Sequence, residues 1–231
     1  MNYTEFQKQI KITRKSICRE IFRQNQGSIR IKKEETVLRN LEKIFGAALK
    51  ISNEKGFQAM TMRSLSRETG MSMGGLYAYF SGKEDLLEML LRTGRITIKH
   101  ILEEQVNQAT DPESRLRSAI RAHLFLSEVM QPWFYFSYME ARRLGDTEKK
   151  KSMTAEIETE KLFASIIEEG VNRGVFVVKD SLLAASVIKA MVQDWYVKRW
   201  KYAKREVSVD RYASFVVECV ESFCLHMGDK K

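Results

Sequence analysis

The residues best suited to chemistry with a polyanion fall in one short run, Ser72-Met73-Gly74-Gly75-Leu76-Tyr77-Ala78-Tyr79, with Lys83 four residues on. The run offers hydroxyls, an amine and a backbone with two adjacent side chains missing. Phosphate contacts come typically from Lys, Arg, Ser, Thr and Tyr side chains and from helix N-termini. Gly74 and Gly75 sit in a helical pattern, where each costs roughly 0.8–1.0 kcal/mol relative to Ala. Bare backbone allows a close approach to base edges or phosphates. It also allows tight helix–helix packing, and for Gly75 both readings stand. No comparable catalytic cluster exists. There is no G-x-S-x-G, no H-E-x-x-H and no phosphate-binding glycine loop. His100, His123 and His226 are far apart and none has a histidine one turn away. No catalytic residue, metal site or cofactor is expected.

The elements that must position this run are short helices. Thr61 is placed to cap a helix over 62–68, and Ser72 to cap a second over 73–79. Thr69-Gly70-Met71 forms the turn between them. Two short helices joined by a glycine-containing turn make a helix-turn-helix, whose second helix enters the major groove by its N-terminal residues. Those residues are Ser72, Met73, Gly74 and Gly75. Leu76 and Phe80 mark the inward stripe, so Tyr77 points outward; Tyr79 is either a phosphate donor or a core ring with a wet hydroxyl. Arg63, next to the Thr61 cap, is in reach of backbone or base. Lys83, in a first helical turn, is better matched to a phosphate than to the helix dipole. Upstream, Val37, Leu41, Ile44, Ala48 and Ile51 define an amphipathic helix from about 35 to 54. Downstream, Ser81-Gly82-Lys83-Glu84 reads as a capping box opening a helix towards residue 100.

Charge sharpens the division. The chain has 231 residues and a formal net charge of +9, and residues 1–95 carry 18 Lys and Arg against 10 Asp and Glu. Nearly all the excess is therefore N-terminal, which fits a polyanion-binding part joined to a neutral part with another task. Charge alone admits nucleic acid or an anionic membrane surface. The few prolines and glycines, and the absence of alternating β-branched runs, predict an all-α protein. No apolar run is long enough to span a membrane, and no secretory signal is present. Cys18, Cys219 and Cys224 lack C-x-x-C spacing and fit a reducing cytoplasm, with Cys219 and Cys224 as core residues.

Residues 36–87 resemble the TetR/AcrR family of bacterial transcription regulators. The matching elements are Ala47-Ala48, Gly56-Phe57, Thr61-Met62, Leu65-Ser66, Gly70-Met71-Ser72, Leu76-Tyr77, Tyr79-Phe80, Lys83-Glu84 and Leu86-Leu87. The resemblance implies three DNA-binding helices followed by a larger ligand-binding and dimerisation domain. It implies a dimer that binds a palindromic operator, usually as a repressor, and is released by a small molecule. The family's DNA contacts map onto Thr61, Arg63, Ser72, Met73, Gly74, Tyr77, Tyr79 and Lys83. Gly75 is a departure, since a small polar residue or Ala is common there. On this basis the chain divides into an extension, 1–33, a DNA-binding domain, 34–81, and a ligand-binding and dimerisation domain, 82–231.

In the neutral part, Asp111-Pro112, Pro132, Asp180 and Ser208 open further helices. Ala184, Ile188, Met191 and Trp195 form one stripe on helix 181–203, and Phe215, Cys219 and Phe223 lie on another over 209–226. These stripes complete either a dimer face or a monomer core, and operator symmetry favours the dimer. Phe125, Trp133, Phe136 and Tyr138, with His123 and Gln193 as polar members, are the candidate effector site. The same aromatics also suit a plain core, and His123 a hydrogen-bonded core histidine. A fatty-acyl or aromatic effector is expected from composition and family. The extension has an apolar stripe, Phe6, Ile10, Ile17 and Ile21, among basic residues. It is read as packing on its own domain with incidental DNA contacts; a phosphate-binding arm and a membrane-surface helix are the alternatives.

Overall fold

Helix starts in this chain are set by side-chain caps and their lengths by the apolar stripes. The computed structural model describes residues 1–10, 19, 22, 23, 31, 33–141 and 144–225. Its helices are α1 (Tyr3–Ile10), α2 (Glu34–Lys55), α3 (Met62–Thr69), α4 (Met73–Tyr77), α5 (Lys83–Asn107), α6 (Pro112–Val129), α7 (Gln131–Glu140), α8 (Asp146–Asn172), α9 (Ser181–Val197), α10 (Arg199–Lys204) and α11 (Val209–Cys224), with a 3-10 turn at Phe57–Ala59. The fold is all-α. Among the described residues the only β pairing is an isolated bridge between Phe176 and Leu225. No helix among them is long and apolar enough to cross a membrane.

Five expected caps form. Thr61, Ser72, Asp111, Asp180 and Ser208 each accept a hydrogen bond from the N–H three residues on, each contributing on the order of 1 kcal/mol. The capping box at Ser81–Glu84 does not form. The N–H and hydroxyl of Ser81 both donate to Asp85 Oδ2, at 2.8 and 3.1 Å. Gly82, at the cap position, has no side chain, and the Asp85 carboxylate takes over the helix start. The single helix expected over 181–203 is also two helices. Lys198, at φ −114° and ψ 35°, ends α9, and the break turns Tyr202 back onto Trp195, with ring centroids 5.1 Å apart.

The chain forms two compact units: residues 1–9, 98–131 and 149–231 in one, and 10–97 with 132–148 in the other. In the first, here the regulatory unit, α6 packs against α9 and α11 around buried Phe125, Phe163, Ile188, Trp195 and Val220. Phe176 folds over Gly170, where a Cβ would lie 2.0 Å from its ring. α1 belongs to this unit. Phe6 is fully buried and packs tilted against Phe125, with centroids 5.4 Å apart, and Tyr3 lies 5.7 Å from the same ring. The Tyr3 N–H donates to Asp210 at 2.8 Å, and Gln9 donates to Gln108 at 2.8 Å. The stripe that would have faced a lipid surface is sealed at Phe6; Ile17 and Ile21 lie outside the described residues, as does Cys18.

In the second unit, α2 supplies Leu41, Ile44 and Phe45 to a core closed by Leu65, Leu76 and Phe80. α7 packs here too. Its Trp133 N–H donates to the Leu90 carbonyl at 3.0 Å, and Phe136 meets Phe57 edge-on at 6.2 Å. Glu140 accepts from the Phe57 N–H at 3.2 Å.

Candidate nucleic-acid interface

The two short helices are fixed by their own side chains before any ligand arrives. Thr61 and Ser64 bond reciprocally, Ser64 N–H to Thr61 Oγ1 at 3.1 Å and Thr61 N–H to Ser64 Oγ at 3.0 Å. Gly70 takes the left-handed conformation, φ 67°, which a β-carbon disfavours. Across the turn, the Ser66 hydroxyl donates to the Met71 carbonyl at 2.6 Å, and Thr69 Oγ1 accepts from the Met71 N–H at 3.3 Å. Leu65 and Leu76 are fully buried, so the pair is pinned on one side. The other side carries exposed Thr61, Arg63, Ser72, Gly74 and Tyr77, with Met73 half-exposed.

The two glycines differ. A Cβ at Gly74 would meet nothing within 4 Å, while one at Gly75 would lie 3.2 Å from Ser72 Oγ. Gly74 therefore keeps no packing space inside its own unit, and tight packing does not account for it. At Gly75 the added Cβ would crowd the cap itself, because Ser72 Oγ accepts from the Gly75 N–H at 3.1 Å. Tyr77 is 45 % exposed and Tyr79 only 2 %. The expectation that Tyr79 presents itself to a phosphate is corrected: its ring is core, and its hydroxyl accepts from Asn40 at 2.8 Å. Burial raises the Tyr79 phenol above its ordinary value. Lys83 lies over the Phe57 ring, 5.3 Å from its centroid, and donates to the Gln58 carbonyl at 3.3 Å. It is half-exposed, at the edge of the same surface.

The expected effector residues are divided between the two units. His123, Phe125 and Gln193 belong to the regulatory unit, and Trp133, Phe136 and Tyr138 to the other. Trp133 and Phe136 are committed to packing, and Tyr138 is 46 % exposed. Phe125 is covered by α1. His123 is fully enclosed, and burial, then the nearby Lys189 charge, holds its pKa well below the usual 6.5. The unfolded chain therefore binds a proton that the folded chain refuses. Stability is unaffected above pH 6.5 and falls below it, by up to about 1.4 kcal/mol per pH unit. Urea unfolding between pH 7 and 5 is expected to show this slope, and His123→Leu to flatten it.

The expected dimer stripes also divide. Ile188 and Trp195 are fully buried and belong to the core; Ala184, Met191 and Cys219 are half-exposed. Cys219 is thus not the core residue expected, while Cys224 is buried and its thiol is raised to about 11 by burial. Phe215 and Phe223 face outward, 62 % and 41 % exposed, and so do Leu182, Leu183 and Val187 of α9, at 54 %, 62 % and 45 %. Sequence reading missed those three. α9 is apolar on nearly every side, so periodicity did not identify its outer face.

A capped helix-turn-helix on a basic unit, in a chain whose other unit is also helical, is the arrangement of a DNA-binding regulator of the helix-turn-helix class. Residues 44–90 match the model of the bacterial regulatory proteins of the tetR family, and residues 109–220 match the tetracyclin repressor-like C-terminal domain. The chain belongs to the TetR family and is a transcription regulator, not an enzyme. It is 23 % identical over 185 residues to the HTH-type transcriptional regulator HbdR of Aromatoleum sp. (strain CIB), covering 80 % of this chain and 81 % of that one. Its fold is similar to that of the ketosteroid transcriptional regulator KstR2 of Mycobacterium tuberculosis, with a TM-score of 0.72 at 19 % identity, over 80 % of this chain and 94 % of that chain. It is also similar to FadR of Bacillus subtilis, solved in complex with stearoyl-CoA, with a TM-score of 0.61 at 19 % identity, over 77 % and 96 % of the two chains. Regulators of this family bind DNA and small-molecule ligands, typically as dimers.

Proposed function

We propose that this protein is a dimeric repressor, acting in the cytoplasm, that binds a two-fold symmetric DNA site and releases it when a small, largely apolar molecule occupies the regulatory unit. The carrying observation is the open space at Gly74 beside exposed Ser72 and Tyr77. Residues 34–81 read the DNA, through Thr61, Arg63, Ser72, Met73, Gly74 and Tyr77, with Gly75 presenting the cap and Lys83 at the rim. The start of α4 presents N–H groups to phosphate or base edges, as helix N-termini do. Residues 82–231 carry the effector and the second subunit. The names of KstR2 and of the stearoyl-CoA complex of FadR speak for ligands with a large apolar body in similar folds.

Leu183 and Val187 of α9 with Phe215 and Phe223 of α11 form the apolar face that a partner copy would cover. Large apolar side chains exposed on two adjacent helices speak for such an interface. The double substitution Val187→Asp with Phe215→Asp is expected to give a folded monomer in analytical ultracentrifugation. It is expected to lose binding to a duplex selected by the intact protein, because a single half-site contact is too weak. A variant that stays dimeric, or a monomer that binds as tightly as the parent, overturns the dimer reading.

A further inference from the structure

Lys189 is a charged residue in the core of the regulatory unit. Its side chain is 7 % exposed, yet it pairs with Glu156, whose side chain is 48 % exposed, at 2.9 Å. Lysine is almost never buried without a partner, and here the two partners are unequal. The ammonium is confined, whereas the carboxylate already stands half in water. One turn along the same seam between α8 and α9, the Ser186 hydroxyl bonds to Glu160. The Lys189–Glu156 pair is therefore not the only polar link between the helices. On the third helix, α6, His123 is buried and 6.4 Å from the ring of Phe163. Ile120, Phe163, Ile167 and Ile188 on the same three helices are fully buried.

We propose that Lys189 is the anion anchor of the effector site, and that the effector is an amphiphile with an apolar body and a carboxylate head that takes the place of Glu156. The inference rests on the small-molecule half of the function proposed above and deepens it. The exchange conserves charge. The Glu156 carboxylate leaves for solvent as the incoming carboxylate arrives, so Lys189 is never left unpaired. The dehydration of Lys189 is already met in folding, so the incoming anion bears only its own. A plain apolar ligand gains nothing from this cation, and a cationic one is repelled. His123, kept neutral, adds a polar edge beside the head group without adding a second charge.

The test uses the full-length protein and two pairs of probes below their micelle concentrations: dodecanoate against 1-dodecanol, and hexadecanoate against 1-hexadecanol. Calorimetric titration is expected to show each carboxylate binding at least about tenfold tighter than its alcohol. Lys189→Met is expected to bring that ratio to within about twofold while leaving alcohol affinity unchanged, and Lys189→Arg to retain it. Glu156→Gln, which removes the internal competitor, is expected to strengthen carboxylate binding about threefold or more. Thermal melts establish that each variant is folded; if Lys189→Met is not, the Lys189→Arg and Glu156→Gln results decide. A ratio near one in the parent, no carboxylate binding at all, or a preference that survives Lys189→Met overturns the proposal. Duplex selection by the parent protein is scored separately. Its failure would remove the DNA-binding reading and leave the carboxylate ratio to stand or fall alone.

Discussion

Gly74→Glu is expected to lower affinity for a selected duplex by about 100-fold or more, with no loss of thermal stability. The two halves of that result have separate causes. On the folding side, nothing lies within 4 Å of the added Cβ, so no neighbour must move. Replacing a helical glycine gains roughly 0.5–1 kcal/mol of backbone entropy, and an acidic side chain in a first helical turn is favoured by the dipole. On the binding side, the same carboxylate stands where the proposed interface brings the duplex closest. It meets phosphates with like charge and fills the space the bare backbone leaves. A disrupted contact typically costs about 1–3 kcal/mol, and a dimer makes it twice. Gel shift at fixed salt reads the affinity and differential scanning calorimetry the stability. Retained binding with a correctly folded variant would place the interface elsewhere.

Trp195→Ala is expected to be the most destabilising single truncation in the regulatory unit, by about 3–5 kcal/mol. Against a total stability of roughly 5–15 kcal/mol for such a domain, that is a large share. The indole is fully buried and lies 5.1 Å from the Tyr202 ring and 5.0 Å from that of Tyr212. The Arg199 guanidinium sits 4.6 Å over it. Its N–H donates to Glu128 at 3.0 Å, and the same carboxylate takes two bonds from Arg199, at 3.0 and 3.1 Å. Losing the ring opens a cavity under two tyrosines and removes one of the donors that hold Glu128. Trp195→Phe keeps one ring of the stack but loses the N–H and the second ring, and is expected to cost less, about 1–3 kcal/mol. Urea unfolding followed by circular dichroism separates the two. Equal, small effects would show that the stack is not a stability centre.

These contrasts also show what a sequence can announce. Thr61, Ser72, Asp111, Asp180 and Ser208 were readable as helix starts because capping is decided by a side chain and the backbone three residues on. The helix-turn-helix was readable for the same reason. Ser81 was not, because Asp85 competes for the same groups at a spacing the capping-box pattern does not contain. The inner and outer sides of α9 were unreadable because Leu183, Val187, Ile188 and Trp195 are all apolar, and only the packing of the neighbouring helices decides which are covered. The division of the expected effector residues between two units was unreadable for a related reason. Aromatic residues close in sequence, Phe125 and Trp133, enter different units. The buried Lys189 carried no pattern at all; a lysine in an apolar helix becomes informative only once its surroundings are known.

The docking of α1 changes what a shortened version of this chain would be. A polypeptide begun at residue 11, just after α1, would keep α2 and the α3–α4 pair but lose Phe6 and Tyr3. Phe125 would then be stripped of its lining, and Asp210 of a backbone hydrogen. Trimming one end of the molecule would thus disturb the unit built on α6, α9 and α11, and leave the unit that carries α3 and α4 with its own core intact.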